Sequence, residues 1–238
     1  MAKGAVTVTL QCPNVPLNDF IDAQYLDSRT MSRRPGMYIK LLPVLYSEIN
    51  GHLHTGGSYL FDTYENAEDY ARWTKEEYQI DGVKFLEQPM FLDSQAWVWK
   101  VVGAHAWAPV VDHALASLQI WRYTTDADLR VVYPALRDAA ELQGAVSFWL
   151  LHNPETNLIG IQLAFKTSGD GEVGLDRSLK EVASKEPLGR LLPDLGKPIF
   201  SRLSLLLTLW LPKSREAGGT ELCLPLYPAM PAITHDYI

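Results

Sequence analysis

The sequence predicts an α+β chain in which one βαββαβ module is followed by a second. Three observations support this prediction. Strands and helices follow in the same order in both halves of the 238 residues, and short letter matches link the halves. The hydrophobic fraction of 47% is ordinary for a globular protein and excludes bulk disorder. A split βαβ unit that occurs twice is typical of two ferredoxin-like modules in tandem.

The first half opens with apolar and polar residues in alternation over 6–11, which predicts a half-buried strand. Asn14 is a candidate N-cap, and the apolar spacing after it predicts a helix from about Pro16 to Met31. The other elements predicted for this half are a strand over 37–48, a strand over 56–61, a helix with Ala67, Tyr70, Ala71, Thr74 and Tyr78 on one face, and a β-rich segment over 83–102.

The second half repeats this order. Its predicted elements are a strand over 115–123, a helix over 126–142, a hairpin of 146–152 and 158–167, a helix marked by Leu175, Leu179 and Val182, and a strand over 198–211. Residues 8–11 match 116–119 in letters, and residues 57–60 match 160–163. We therefore predict modules over 1–103 and 114–211, followed by a Pro-rich extended tail over 212–238.

Composition narrows the function classes. A net charge of −7 without a Lys/Arg cluster argues against a nucleic-acid partner. Two cysteines, Cys12 and Cys223, do not make a disulfide framework, so a cytoplasmic location is expected. The residues after Met1 do not form a signal peptide, and the longest apolar run, over 203–211, is about half a membrane span. No membrane partner is expected.

One motif carries a family resemblance. Residues 56–61 read Gly-Gly-Ser-Tyr-Leu-Phe, and an Ala-x-x-Tyr helix follows at 67–70. This pattern resembles the dimeric α/β-barrel superfamily, and within it the candidate monooxygenases. Members pair two ferredoxin-like chains in one barrel, so the resemblance implies that the antiparallel sheets of this tandem chain form an α/β barrel within one chain. A homodimer is also compatible. The superfamily includes cofactor-free oxygenases, cyclases, isomerases, lyases and haem enzymes, so it predicts fold better than reaction.

Strand alternation predicts a small-molecule pocket on the strand face that mixes aromatic and polar side chains. Lys40 is the central candidate, because a lysine among aromatic rings can act as a base or stabilise an anion; an edge-strand lysine in water is the alternative. The predicted catalytic residues are Lys40, Tyr38, His54 and Tyr59. The predicted substrate-binding residues are Gln11, Tyr46, Phe61, Gln119, Trp121, Gln162, Arg202 and Trp210.

No metal or cofactor site is predicted. His52 and His54 lack a clear third ligand, and haem ligation by His105 or His113 is a minor alternative without an attachment motif. The loop over 169–174 fits Gly-x-Gly-x-x-Gly, but it carries two acidic residues and follows an antiparallel hairpin, which argues against a nucleotide.

The predicted function is a cofactor-independent enzyme acting on a hydrophobic aromatic or phenolic molecule. We expect a lyase that works by decarboxylation, deformylation or dehydrating cyclisation through a carbanion or quinone-methide-like intermediate. The preference for a lyase depends on one doubled, asymmetric pocket that could hold a larger substrate. The alternatives are a cofactor-free monooxygenase, in which the deprotonated substrate itself reduces oxygen, and a non-catalytic protein that binds a hydrophobic ligand.

Overall fold

The computed structural model describes most of the chain. The residues that it describes are 2–13, 15–16, 19–20, 22–23, 30–31, 34–46, 51–108, 110, 114–125, 128–167, 171–192 and 195–210. The predicted tail over 212–238 and His113 lie outside these residues. Only separate positions of the helix predicted between Pro16 and Met31 are described.

The main secondary structure consists of ten strands and three helices among the described residues. The strands are β1 (Gly4–Cys12), β2 (Met37–Tyr46), β3 (Leu53–Phe61), β4 (Gln79–Ile80), β5 (Val83–Lys84), β6 (Asp93–Ala106), β7 (Leu115–Arg122), β8 (Ala145–Asn153), β9 (Leu158–Phe165) and β10 (Phe200–Trp210). The helices are α1 (Tyr64–Glu76), α2 (Leu129–Leu142) and α3 (Gly171–Ala183).

The eight long strands form a closed barrel with the hydrogen-bonded order β1-β3-β2-β10-β7-β9-β8-β6. The strand pairs inside each half are antiparallel, and β4 and β5 form a separate two-stranded sheet. The predicted α+β class with an antiparallel α/β barrel is therefore confirmed. Within the described chain, two compact units can be separated, the first over Ala2–Trp99 and the second over Lys100–Thr208.

In the first unit, α1 packs on β1 and β3. Thr63 caps this helix, since its hydroxyl accepts a hydrogen bond from the Asn66 amide at 3.1 Å. Ala67, Tyr70 and Thr74 follow at spacings of three and four residues and form its buried face. The core beneath α1 includes Val6, Val8, Leu10, Met31, Met37, Tyr59, Phe61 and Phe85. We call the sheet face toward this core the helix side.

The second unit has the same layering around β7, β8 and β9. Asp128 caps α2 by accepting a hydrogen bond from the Arg130 amide at 2.9 Å. The core beneath α2 and α3 includes Leu115, Trp121, Leu136, Phe148, Leu150, Ile159, Ile161 and Leu188. The predicted hairpin turns between Asn153 and Leu158, as expected for β8 and β9.

Candidate active site

Strand register places Lys40 and Tyr59 side by side on the helix side of the first unit. Tyr59 is directly opposite Val6 of β1 and Lys40 of β2. Residues directly opposite each other across an antiparallel pair point to the same face. Because Val6 belongs to the core beneath α1, Tyr59 and Lys40 also point toward that helix. Both side chains are buried.

Gly57 explains how the Tyr59 ring lies along the sheet. A Cβ atom on Gly57 would come within 2.2 Å of the Tyr59 hydroxyl oxygen and 2.4 Å of two of its ring carbons. The ring therefore occupies the space that a side chain at position 57 would fill. The neighbouring Gly56 has φ +144, and a Cβ there would lie 1.9 Å from the Val8 carbonyl oxygen. Both glycines of the motif are thus required by close approach.

Tyr70 of α1 is the second phenol of the site. Its ring centroid lies 4.8 Å from that of Tyr59 and 5.3 Å from that of Phe61. Its hydroxyl is buried and makes no hydrogen bond of good geometry to the described residues, although the Tyr59 and Thr74 hydroxyls are its polar neighbours. Burial raises the Tyr70 pKa well above its ordinary value, and the nearby Tyr59 hydroxyl raises it further. Tyr70 is therefore a neutral hydroxyl that can donate a hydrogen bond.

Lys40 lies behind Tyr59 and is fully buried. Its Nζ atom is 5.8 Å from the centroid of the Tyr59 ring, within the range of a cation–π contact. The same atom donates to the Met31 Sδ atom at 3.6 Å. A fully buried lysine is rarely kept for stability alone, because removing an amino group from water is costly.

An apolar groove of about 330 Å³ reaches this cluster at Tyr70, whereas Tyr59 and Lys40 lie beneath its lining. Its floor and walls are Val6, Val8, Tyr70, Ala71, Thr74, Leu86, Ala96 and Val98, and its rim carries Glu68, Arg72 and Lys75. Such a volume suits a small ligand, and an apolar lining with one buried donor is typical of ligand sites. We call this groove, with Tyr59, Tyr70 and Lys40, the tyrosine site.

The structure divides the predicted catalytic residues between two faces. Lys40 and Tyr59 meet in the tyrosine site, and Phe61 lies beside them. His54 is directly opposite Gln11 and Leu45, and these residues point to the other face of the sheet. Gln11 therefore does not join Tyr59 and Phe61 on the one pocket face that the sequence predicted, because Gln11 is at an odd position of β1 whereas the helix side takes the even ones.

The surroundings of Gln11 and Tyr38 are also defined. Gln11 Nε2 donates a hydrogen bond to His52 Nδ1. His52, the first histidine of the His52/His54 pair, is therefore the acceptor that holds the Gln11 amide. Tyr38 is buried at a β-bulge, where the register of β2 against β3 shifts between Met37 and Ile39. The side chain of Tyr46 lies outside the described part of the structure.

In the second unit the predicted binding residues are again separated by face. Trp121 belongs to the core beneath α2 and packs against Gly189, where a Cβ would lie 2.6 Å from its ring. Gln119 is two residues away on the same face. Gln162 and Arg202 are both opposite Leu118, on the other face. Burial lowers the Arg202 pKa to about 10, so this guanidinium is still a buried cation at neutral pH. The Trp210 side chain is outside the described residues.

A second cleft, of about 300 Å³, lies in the second unit and includes Gln119, Ser117 and Ser201. Gln119 Nε2 donates to the Ser201 hydroxyl at 3.5 Å. None of the predicted catalytic residues lines this cleft. The tyrosine site is therefore the better candidate for chemistry.

Sequence reasoning missed Tyr70 and Thr74 as site residues, although it placed both on one helix face. A signal for Tyr70 was present, since the Ala-x-x-Tyr spacing puts it on the buried stripe of α1 beside the Gly-Gly-x-Tyr strand. Among the described residues, no group of three or more His, Cys, Asp or Glu side chains could hold a metal ion. Within the same residues, no helix has the length and apolarity needed to cross a membrane.

Comparison with known proteins establishes the class of fold. No protein-family model and no curated protein matches the chain. A candidate monooxygenase from Fusobacterium nucleatum has a similar structure, with a TM-score of 0.57 and 11% identity over 88% of this chain and 95% of that one. A candidate monooxygenase from Lactobacillus acidophilus has a TM-score of 0.50 and 11% identity over 88% and 96% of the two chains.

At 11% identity these likenesses establish the fold alone. The chain shares their antiparallel α/β-barrel fold, which is the fold that the resemblance at 56–61 implied. In this chain both ferredoxin-like modules belong to one polypeptide.

Proposed function

We propose that the protein is a cofactor-independent monooxygenase that oxidises an aromatic, phenolic small molecule in the tyrosine site. The observation that carries this proposal is the buried Tyr70 hydroxyl, which lines an apolar groove and makes no hydrogen bond of good geometry within the part of the chain that the structure describes. A buried donor without an acceptor costs free energy, on the order of 1–3 kcal/mol. A substrate oxygen that accepts this hydrogen bond would remove that cost.

The groove favours a flat, apolar substrate with one polar oxygen. Val6, Val8, Leu86 and Val98 offer apolar contact, and Tyr70 offers a buried donor, whereas the Thr74 hydroxyl already donates to the Tyr70 carbonyl oxygen. Because the Tyr70 pKa is raised, its proton stays on the phenol while the substrate oxygen gains negative charge. Tyr70 would thus stabilise the substrate anion by donation, as an oxyanion donor does.

The proposed reaction needs dioxygen and no bound redox group. Loss of a proton from an activated CH₂ group next to the phenol ring gives a carbanion, which is also the enolate of the ring. One electron passes from this anion to O₂, and the resulting superoxide joins the carbon radical to give a peroxide. Loss of water then leaves a ketone, so that R₂CH₂ and O₂ give R₂C=O and H₂O. A protonated Lys40 behind Tyr59 would stabilise the anions that form.

Two observations favour oxygenation over the lyase chemistry that the sequence first suggested. The preference for a lyase depended on one large pocket built from both modules, whereas the tyrosine site is formed by the first unit alone. Two proteins of similar structure, from Fusobacterium nucleatum and Lactobacillus acidophilus, are described as candidate monooxygenases. Lyase activity on the same class of substrate is the competing outcome of the test.

The test is a panel of polycyclic phenols with an activated CH₂ group, incubated with the purified protein in ¹⁸O₂ and under argon. We expect turnover only with oxygen, and one ¹⁸O atom in the ketone product by mass spectrometry. The protein is first dialysed against a chelator, and its absorption spectrum is recorded to check for haem. Equal turnover under argon would support a lyase, and saturable binding without product would support a ligand-binding protein; each would overturn the proposal.

A further inference from the structure

The cleft of the second unit occupies the same place in its module as the groove of the tyrosine site occupies in the first. Each lies on the helix side of its own sheet, where the first and last strands of the module meet, β1 with β6 and β7 with β10. One wall is the helix after the third strand, α1 in the first unit and α3 in the second. A 3₁₀ turn before the last strand adds one leucine to each, Leu86 and Leu188. The cleft and the groove therefore correspond to each other through the repeat.

The two sites have similar volumes, about 300 and 330 Å³, but their floors differ in polarity. In the first unit the first and last strands contribute Val6, Val8, Ala96 and Val98. In the second unit the same two strands contribute Ser117, Gln119, Ser201 and Leu203. Three of the four floor residues are thus polar in the second unit, whereas all four are apolar in the first. None of the described residues that line the cleft is a tyrosine, so the cleft suits a different ligand from the groove.

We propose that this cleft, the polar cleft, is a second binding site for a neutral ring compound with several hydroxyl groups, either a free sugar or a sugar linked to an aromatic ring. The proposal does not depend on the oxygenation assigned to the tyrosine site, because the polar cleft belongs to the second unit alone. Its basis is the hydroxyl and amide groups on the floor, the apolar side chains beside them and the balanced charges at the rim.

The floor offers groups that both donate and accept hydrogen bonds. Serine hydroxyls and glutamine amides have both capacities, and so does a ligand hydroxyl, which therefore matches them in either direction. Gln119 Nε2 donates to the Ser201 hydroxyl at 3.5 Å, which is long for a hydrogen bond. Because a contact of that length is weak, a ligand hydroxyl would replace it with shorter bonds at little cost.

Apolar side chains in the polar cleft suit the ring of such a ligand. Leu163, Phe165 and Leu188 belong to the core of the second unit and also line the cleft. The C–H groups of a sugar ring, or the face of an aromatic ring, would pack on this surface and leave water. An apolar lining with a few placed polar groups is the usual composition of a small-molecule site.

The charged side chains at the rim are balanced within the protein, which favours a neutral ligand. Lys185 Nζ lies 3.2 Å from the Glu181 carboxylate and 5.7 Å from the centroid of the Phe165 ring. Glu186 forms an ion pair with Arg190 at 2.7 Å. Two cations and two anions thus leave no excess charge at the rim. A charged ligand would lose water on binding without meeting an excess of the opposite charge.

The test is a titration of the full-length protein, followed by the amide signals in nuclear magnetic resonance spectra. The probes are glucose, galactose and mannose, the phenyl glycosides of these sugars, benzoate and phenyltrimethylammonium. We expect saturable binding of a glycoside with shifts at Ser117, Gln119 and Ser201, and roughly tenfold weaker binding of the two charged compounds. The same shifts with a free sugar would show that the sugar suffices, and shifts with glycosides alone would show that the aromatic ring is also bound.

Three variants locate the binding. Gln119→Leu removes the amide at a similar side-chain volume, so we expect the Kd of the glycoside to rise roughly tenfold. Ser201→Leu narrows the cleft from an exposed position and should have the same effect, even if Gln119→Leu does not fold. Leu86→Phe is the control, because Leu86 lines the groove of the tyrosine site and not the polar cleft, so its Kd should equal that of the wild type.

Three results would overturn the polar cleft as a sugar site. They are the absence of saturable binding by every sugar and glycoside, tighter binding of a charged compound, and an unchanged Kd in the folded Gln119→Leu or Ser201→Leu protein. Each would leave the proposed oxygenation unaffected, since that reaction is tested by oxygen-dependent turnover in the tyrosine site.

Discussion

The Tyr59 ring lies over Gly57, at a distance that leaves no space for a side chain at position 57. A Cβ there would be 2.2 Å from the Tyr59 hydroxyl oxygen. The same ring is 4.8 Å from the Tyr70 ring by centroids, and it lies next to Lys40. The Gly-Gly-x-Tyr motif thus fixes the position of the phenol around which the tyrosine site is built.

Gly57→Ala is expected to displace the Tyr59 ring and destabilise the protein by about 1–3 kcal/mol, the usual cost of overpacking. The free energy of unfolding, measured in urea, checks this. Gly196→Ala is the control, because nothing lies within 4 Å of a Cβ at that position. It should stay within about 0.5 kcal/mol of wild type. Equal effects of the two substitutions would show that Tyr59 does not depend on Gly57.

Tyr70→Phe is expected to separate stability from activity. The free energy of unfolding should stay the same or rise by about 1 kcal/mol, because the substitution removes a buried hydroxyl that makes no well-aligned hydrogen bond to the residues described by the structure. The value of kcat/KM should fall about 100-fold if this hydroxyl stabilises a substrate oxyanion. Tyr78→Phe is the control, since Tyr78 stacks on Trp73 and does not line the groove. Unchanged kcat/KM in Tyr70→Phe would exclude the proposed role.

The buried thiol of Cys12 is expected to make the protein less stable at alkaline pH. Burial raises the pKa of its thiol to about 11 from an ordinary value of 9.0. The unfolded chain therefore releases the proton first as the pH rises, which favours unfolding. Stability from this group is complete below pH 9 and falls by about 3 kcal/mol as the pH approaches 11.

Urea unfolding of wild type and Cys12→Ala at several pH values between 8 and 11.5 checks this, with roughly 1.4 kcal/mol expected per pH unit inside the window. The difference between the two proteins isolates Cys12 from Tyr70, which also titrates at alkaline pH. Parallel losses in both proteins would contradict the assignment.

The fold could be predicted because its signals are local and periodic. The alternation in β1, the buried stripe of α1 and the turn between β8 and β9 each specify an element without tertiary information. Closure of the sheet into a barrel is not specified by any single element. That part of the prediction came from the family resemblance of the motif at 56–61.

The site was predicted only in part, because a shift of one residue along a strand moves a side chain to the opposite face of the sheet. The letter match pairs Val8 with Ala116 and Tyr59 with Gln162. In the structure Val8 and Tyr59 point to the helix side, whereas Ala116 and Gln162 point to the other face. The match therefore indicates the repeat of elements but is out of phase with the pleat.

Other parts of the site depend on register between distant segments. Lys40 meets Tyr59 because β2 pairs with β3 after a bulge near Tyr38, and the sequence does not mark that bulge. The contact between Tyr59 and Tyr70 requires α1 to lie across β3 at one particular angle. The alternation of residues within one strand indicates neither the β2–β3 register nor the position of α1 on β3. It could therefore identify Lys40 and Tyr59 as candidates but not the residues that surround them.

The most direct test of the tyrosine site is the initial rate of oxygen consumption by Lys40→Met with a polycyclic phenol that the wild type oxidises. Met has a similar length without the amino group, and replacing a buried ionisable group by a matched apolar one tends to preserve or raise stability. Lys84→Met is the control, since Lys84 lies on β5 and pairs with Glu87. We predict a fall of about 100-fold for Lys40→Met, in the range seen when one transition-state contact is lost, and a wild-type rate for Lys84→Met. Wild-type oxygen consumption by a folded Lys40→Met protein would contradict the central role of this lysine.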